Sequence, residues 1–304
     1  MTARRDTQIE DFLASQGWAE AARSHLAGDA SFRRYERIVA GDRVAVLMDA
    51  PPPEEDTRPF IKIARHLNGL GYSAPEILAT DEEAGLLLLE DLGDDTYTRV
   101  LEAGGDEQAL YGRAVDVLID LHSRPMDEAV PPGLPPYGNG RLLDEAFLAP
   151  QWTYPAFTGE GLSEDVRRAY GDIWLHLFSL VHNGPKTLVL RDYHVDNLLW
   201  LSKRDGIRAC GLLDFQDAVV GHPAYDLMSL LEDARRDLGE GLKTAMMERY
   251  LAAFPDLDGD AFRTAFSILA AQRHAKVIGI FTRLCQRDGK PDYLVHIPRV
   301  WRLL

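Results

Sequence analysis

Two short polar motifs beside apolar segments constrain the fold of this 304-residue chain most strongly. The first motif reads Leu190-Arg191-Asp192-Tyr193-His194-Val195-Asp196-Asn197, and the second reads Leu213-Asp214-Phe215-Gln216-Asp217. Between them, apolar stretches at 198–201 and 207–215 flank the turn residues 203–206, which predicts a strand pair. The chain therefore carries two acidic clusters joined by one hairpin.

Residues 1–90 are predicted to form a small β-rich lobe. Its predicted elements are a short helix at 9–15, strands at 32–39 and 43–48, a helix at 59–70, and strands at 76–80 and 86–90. Beyond Glu90 the apolar spacing turns mainly helical, with amphipathic helices marked at 110–121 and 166–181. These patterns predict an α+β, bilobal chain with an N-lobe at 1–90 and a C-lobe at 91–304. We expect its ligand in the cleft between the lobes.

Composition excludes several classes of protein. The formal net charge of -15 opposes a nucleic-acid partner, because the densest basic run is only Arg33-Arg34 with Arg37 nearby. The longest aliphatic run, Leu86–Leu89, falls far short of the roughly 20 residues of a membrane span. Two isolated cysteines and an N-terminus without an apolar signal region favour the cytoplasm.

The two motifs suit phosphoryl transfer. That reaction needs a carboxylate to orient the attacking hydroxyl and accept its proton, and oxygen ligands to hold Mg²⁺ against the phosphates. The residues follow the protein-kinase pattern H-R-D-x-x-x-x-N and D-F-G, with Leu190 in place of the His and Gln216 in place of the Gly. The pattern predicts Asp192 as the catalytic base, and Asn197 and Asp214 as metal ligands.

The whole chain resembles the aminoglycoside phosphotransferase family of kinase-like small-molecule kinases. Within that family it is most similar to the branch of anomeric N-acetylmuramate/N-acetylglucosamine kinases of cell-wall recycling. Besides the two motifs, the stretches that carry the resemblance are residues 28–35 (GDASFRRY), 48–52 (MDAPP), 87–94 (LLLEDLGD) and 221–227 (GHPAYDL).

The resemblance implies a protein-kinase-like fold, ATP and Mg²⁺ as cofactors, and an amino sugar as acceptor. Residues 28–35 resemble the nucleotide-covering loop, so Ser31, Phe32 and Arg33 are expected to bind the nucleotide. Glu90 and Leu92 fall in the stretch that resembles the hinge, whose backbone would hydrogen-bond adenine. Asp226 resembles the family's structural aspartate, which supports the catalytic loop.

One departure concerns the cation that meets the α- and β-phosphates. Kinases usually place a Lys on the third strand, but residues 44–49 contain neither Lys nor Arg. The candidates to replace this Lys are Arg33, Arg34 and Lys62. We favour an arginine of the 28–35 loop for this role.

The acceptor site is less closely defined. His194, Asp196, Asp217 and Trp152 are predicted to contact the substrate. Other acceptors, namely aminoglycosides or choline-type amino alcohols, remain open, as does the oligomeric state. Two further alternatives are a metal-dependent phosphohydrolase built on Asp192-x-His194-x-Asp196 and a nucleotide-binding pseudokinase that lacks the strand Lys.

Overall fold

The structure is a computed structural model that describes residues 3–28 and 32–304. The chain divides into two compact units. The first unit consists of Met1–Gly104 and Asp196–Asp217, and the second of Gly105–Val195 and Ala218–Leu304. The lobe boundary at residue 90 stays a prediction, and the hairpin between the two motifs groups with the first unit.

The helices and strands have the following bounds. The helices are α1 (Ala3–Ser15), α2 (Arg58–Gly69), α3 (Tyr97–Glu102), α4 (Glu107–Ser123), α5 (Met126–Ala129), α6 (Asn139–Ala146), α7 (Tyr154–Thr158), α8 (Glu164–Val181), α9 (Ala224–Leu231), α10 (Glu240–Ala252), α11 (Gly259–Asp288) and α12 (Ile297–Leu303). The strands are β1 (Ala22–Gly28), β2 (Arg34–Ala40), β3 (Arg43–Asp49), β4 (Ile77–Asp81), β5 (Leu86–Leu89), β6 (Thr187–Val189), β7 (Leu198–Trp200), β8 (Cys210–Leu212) and β9 (Val219–Gly221). A π-helical turn spans Ala149–Thr153, and 3₁₀ turns span Val195–Asn197, Gly206–Ala209 and Pro291–His296.

The first unit is built on an antiparallel sheet with the strand order β1-β2-β3-β5-β4. Helix α1 supplies Ile9, Phe12 and Leu13 to a core that also contains Ile38 and Leu47. The i, i+3, i+4 spacing of those helix residues places them on one face, so the helix can cover the sheet.

Strand β1 was not predicted from the sequence. Its residues, Ala-Arg-Ser-His-Leu-Ala-Gly, include none of the β-branched or aromatic types that favour strands. Pairing with β2, in which Ala22 lies opposite Val39, makes the segment a strand. The predicted strand at 32–39 is correspondingly shifted to Arg34–Ala40.

The predicted hairpin between the two motifs is present, although its second arm is shorter than expected. Strand β7 pairs with β8 so that Leu198 lies opposite Leu212. A 3₁₀ turn occupies Gly206–Ala209, so residues 207–209 are not part of the predicted second strand. The N–H of Leu212 donates to the carbonyl of Ser73 at 2.9 Å, which anchors the hairpin within the first unit.

The second unit is centred on the 30-residue helix α11. Asp258 caps its first turn by accepting the N–H groups of Asp260 and Ala261, and the helix ends at Gly289, which has a φ of +66°. Helix α11 packs against α6, α8, α9 and α12. None of the helices within the described residues combines the length and apolar character that crossing a membrane requires.

Helix α8 buries a narrower face than its amphipathic spacing predicts. Val166 and Ile173 share the spacing of its apolar stripe, but they are 53% and 60% exposed. Trp174, Phe178 and Val181 are its buried residues.

At Gly279, the backbone of residues 148–149 approaches α11 closely. A Cβ atom there would lie 2.5 Å from the backbone nitrogen of Ala149, and it would also meet the backbone of Leu148. We expect Gly279→Ala to lower the free energy of unfolding by about 1–3 kcal/mol. The new methyl group would clash with backbone atoms, which cannot move aside as the end of a flexible side chain can. Urea titration measures the change.

The matched control is Gly241→Ala on α10. A Cβ there meets nothing within 4 Å, so its stability should be unchanged or slightly higher. Equal stability of the two variants would contradict the close packing at Gly279.

Candidate functional site

The first unit contains a cavity of about 420 Å³. Apolar side chains of the sheet and α2 form part of its wall, and polar residues of the connecting loops form the rest. Its lining residues are Leu26, Tyr35, Val46, Phe60, Pro75, Leu89, Glu90, Asp91, Leu92, Gly93, Asp94, Thr96, Arg99, Asp196, Asn197, Leu199, Leu213 and Asp214. The cavity therefore brings five predicted site residues together: Glu90, Leu92, Asp196, Asn197 and Asp214.

The segment from Glu90 to Leu92 offers backbone groups to this cavity. The N–H of Glu90 donates to the carbonyl of Glu76 at 2.8 Å, and the Glu90 carboxylate pairs with Arg204. The carbonyl of Glu90 and the N–H of Leu92 have no hydrogen-bond partner within residues 3–28 and 32–304. An acceptor and a donor are thus available to a planar polar ligand.

Asn197 and Asp214 lie together at the ends of the hairpin. The N–H of Leu213 donates to the carbonyl of Asn197 at 2.9 Å, and the side-chain amide of Asn197 donates to Asp214 Oδ2 at 3.3 Å. Asp214 has a φ of +56°, which is unusual for a residue other than glycine. The hairpin pairing thus brings together the two side chains that the sequence predicts as metal ligands.

Gln216 also contacts this pair. Its Nε2 donates to Asp214 Oδ1 at 2.6 Å, while its buried Oε1 has no hydrogen-bond partner in the described part of the chain. Amide and carboxylate oxygens from these residues form a set of hard donors, which fits Mg²⁺. Across residues 3–28 and 32–304, no three His, Cys, Asp or Glu side chains form a metal-binding group.

Phe215 anchors the second motif. Its ring is buried and stacks on Phe60 of α2, with a centroid separation of 5.1 Å. This contact ties the residue after Asp214 to a helix of the same unit.

The predicted nucleotide-covering loop is described only in part. Ser31 lies outside the described residues. The Nε of Arg33 donates to Glu55 at 2.9 Å, and the backbone N–H of Phe32 donates to the same carboxylate at 3.1 Å. Arg34 and Lys62 are exposed, and Arg99 is the basic residue among the described residues that line the cavity.

In the second unit, a buried carboxylate supports the first motif. Asp226 accepts the backbone N–H groups of Leu190 at 2.6 Å and Arg191 at 2.8 Å. Arg191 has a φ of +74°. Burial raises the pKa of Asp226 to about 7, although the two N–H donors favour its ionised form.

Asp192 lies beside cations in this unit. Arg273 Nη1 donates to its Oδ1 at 3.3 Å, and 31% of the Asp192 side chain is exposed. Burial opposes ionisation, but Lys276, Arg273, His194 and Arg191 together hold the pKa of Asp192 well below its usual range. Asp192 therefore stays ionised at neutral pH.

Three residues of the neighbouring network were missed from the sequence. Glu145 accepts hydrogen bonds from Arg191 and Tyr137, and its carboxylate lies 3.4 Å from the ammonium of Lys276. Lys276 and Arg273 belong to α11, where both are buried. The signal was available, because the run Gln272-Arg273-His274 with Lys276 places polar residues in an otherwise apolar helix segment.

The other predicted substrate residues are divided between the two units. His194 is buried in the second unit, where burial lowers its pKa, and Trp152 is half-buried in the π-helical turn. In the first unit, Asp196 accepts a hydrogen bond from Thr98, and Asp217 is exposed. Their contacts with a substrate stay predictions.

Comparison with known proteins identifies the family. Residues 23–262 match the model described as the phosphotransferase enzyme family. The chain is 37% identical over 334 residues to the N-acetylmuramate/N-acetylglucosamine kinase of Caulobacter vibrioides, covering 99% of this chain and 92% of that protein. The protein of that name from Pseudomonas aeruginosa is 39% identical over 308 residues, covering 98% and 88%.

Solved structures agree on the fold. An aminoglycoside phosphotransferase with bound ADP superposes with a TM-score of 0.63 at 15% identity, covering 100% of this chain and 98% of that one. This confirms the predicted protein-kinase-like fold class, with a small antiparallel sheet and a larger helical part. The family match and the similarity to these two relatives establish that the chain belongs to the phosphotransferase enzyme family.

Proposed function

We propose that this protein is an ATP- and Mg²⁺-dependent kinase that phosphorylates the anomeric hydroxyl of N-acetylmuramate and N-acetylglucosamine in peptidoglycan recycling. The observation that carries the proposal is the near-full-length similarity to two relatives named for those acceptors.

The cavity of the first unit is the proposed nucleotide site. The carbonyl of Glu90 would accept the adenine amino group, and the N–H of Leu92 would donate to a ring nitrogen. Val46 and Leu89, which lie opposite each other in β3 and β5, would contact the base with their apolar side chains. Ser31, Phe32 and Arg33 are proposed to cover the phosphates.

Asn197 and Asp214 are the proposed holders of Mg²⁺. The metal would supply positive charge to the phosphate oxygens. Gln216 would support this role by fixing Asp214 Oδ1 through its amide. The support for Mg²⁺ is the set of oxygen donors, including the unpartnered Gln216 Oε1 noted above.

Asp192 is proposed to orient the acceptor hydroxyl and accept its proton. The hydroxyl oxygen forms a bond to the γ-phosphorus while the bond from that phosphorus to the β,γ-bridging oxygen breaks, which releases ADP. The proton passes to Asp192 and then to water. The low pKa of Asp192 makes it a weak base, which suits a loose transition state in which the hydroxyl loses its proton late.

The charged side chains around Asp192 are of both signs. Arg191, Arg273 and Lys276 lie among the carboxylates of Asp192, Glu145 and Asp226 in the second unit. The acceptor assignment therefore rests on the similarity to relatives named for N-acetylmuramate and N-acetylglucosamine. Membership of the phosphotransferase family favours transfer to an acceptor over hydrolysis.

The remaining predictions concern the setting. We propose the cytoplasm, where ATP is available and the two cysteines would stay reduced. The expected partner is the small-molecule substrate, and neither a nucleic-acid nor a membrane partner is expected.

A coupled assay of ADP release tests the proposal. N-Acetylmuramate and N-acetylglucosamine should stimulate ADP release in the presence of Mg²⁺, whereas choline and kanamycin should not. ADP release that depends only on kanamycin or choline would overturn the acceptor assignment, and acceptor-independent phosphate release would favour the hydrolase.

The proposed role of Asp192 predicts a large loss of rate for Asp192→Asn. The amide keeps the shape of the side chain but cannot accept the proton, so kcat should fall about 10² to 10⁴-fold. Asp127→Asn, at an exposed position of α5, is the matched control and should retain the rate. A fully active Asp192→Asn enzyme would refute the mechanism.

The proposed role of Arg33 predicts a nucleotide-binding defect. Arg33→Ala should raise the KM for ATP severalfold, since it removes the cation proposed to replace the strand Lys. Arg58→Ala serves as the control, because Arg58 forms an exposed ion pair with Asp56. An unchanged KM for ATP in Arg33→Ala would remove Arg33 from this role and direct attention to Arg99.

A further inference from the structure

Arg273 is a buried cation on the central helix of the second unit. Only 9% of its side chain is exposed. An unpaired charge at such a position is strongly destabilising, so a buried guanidinium requires acceptors close by. Arg273 finds its acceptors on the loop that carries Asp192.

Two contacts define what Arg273 does. Its Nη1 donates to the backbone carbonyl of Arg191 at 3.2 Å and to Asp192 Oδ1 at 3.3 Å. Its guanidinium also lies over the ring of Tyr225, 5.8 Å from the centroid. One nitrogen thus links the backbone just before Asp192 to the carboxylate itself.

We propose that Arg273 is a positioning residue, which fixes the direction of the Asp192 carboxylate toward the acceptor hydroxyl through this paired contact. The inference rests on the proposed kinase function and extends it to a residue that no sequence motif marks. Arg273 itself touches neither the acceptor nor the nucleotide in this account.

Charge alone does not explain why the residue is an arginine. The groups that face Asp192 are Lys276 from α11, Arg191 and His194 from its own loop, and Asp226 from α9. Several cations therefore already favour the ionised carboxylate. The planar guanidinium also lies over the ring of Tyr225, and its rigid plane sets the direction of Nη1, whereas the ammonium of a lysine sits on a flexible stem.

The experiment compares Arg273→Met and Arg273→Lys with the wild-type enzyme, using ATP and N-acetylmuramate. Arg273→Met should lower kcat about 10 to 100-fold at pH 7.5, because a misplaced carboxylate orients the hydroxyl poorly. The KM for ATP should stay within about twofold. The acid limb of the kcat–pH profile should move to higher pH, because a cation beside Asp192 has been lost.

Arg273→Lys separates orientation from charge. It should leave the acid limb near its wild-type position while kcat remains well below the wild-type value. Arg283→Met, a half-buried arginine ten residues further along α11, is the matched control and should leave both quantities unchanged. Thermal melting shows whether each variant is folded.

Two results would overturn the inference. One is a kcat for Arg273→Met within twofold of wild type, and the other is full activity of Arg273→Lys, which would make the role one of charge only. If Arg273→Met does not fold, the kcat of Arg273→Lys alone tests the inference. A wild-type enzyme without sugar-dependent ADP release would instead refute the proposed function, so the two failures are distinguishable.

Discussion

The buried carboxylate of Asp226 is the contact on which the organisation of the first motif depends. It accepts two successive backbone N–H groups, from Leu190 and Arg191, and Arg191 is held at a φ of +74°. That backbone conformation is unfavourable for a residue with a side chain, so other contacts must stabilise it. Ser229 and Arg273 do so by donating to the carbonyl of Arg191. Asp192 is the next residue in the chain, so these contacts also fix the position of its backbone.

Much of the candidate site could be predicted from the sequence because its geometry is local. Asn197 and Asp214 stand at the two ends of a short hairpin, and strand pairing between 198–200 and 210–212 brings them within hydrogen-bond distance. The proposed hinge follows from a buried strand, 86–89, that ends at a polar segment. Spacing and residue type suffice for such features, since few residues separate the partners.

Other features depend on contacts that no local pattern reveals. Arg273 meets Asp192 across 81 residues, and Glu145 reaches Arg191 across 46, so the sequence shows each residue without its partner. Strand β1 lacks strand-favouring residues and is set by its neighbour β2. The exposed Val166 and Ile173 show the same limit, because helical spacing identifies an apolar stripe but not the surface that covers it. Tertiary packing decides these cases.

The central claim is that phosphate is transferred to the anomeric hydroxyl of an N-acetylated amino sugar. Proton-coupled phosphorus NMR of the product formed from ATP and N-acetylmuramate tests it most directly. The account predicts that the phosphorus couples to the anomeric proton, which a proton–phosphorus correlation spectrum identifies. Coupling to the proton on C4 or to the two protons of the C6 methylene group would place the phosphate on another hydroxyl and contradict the account.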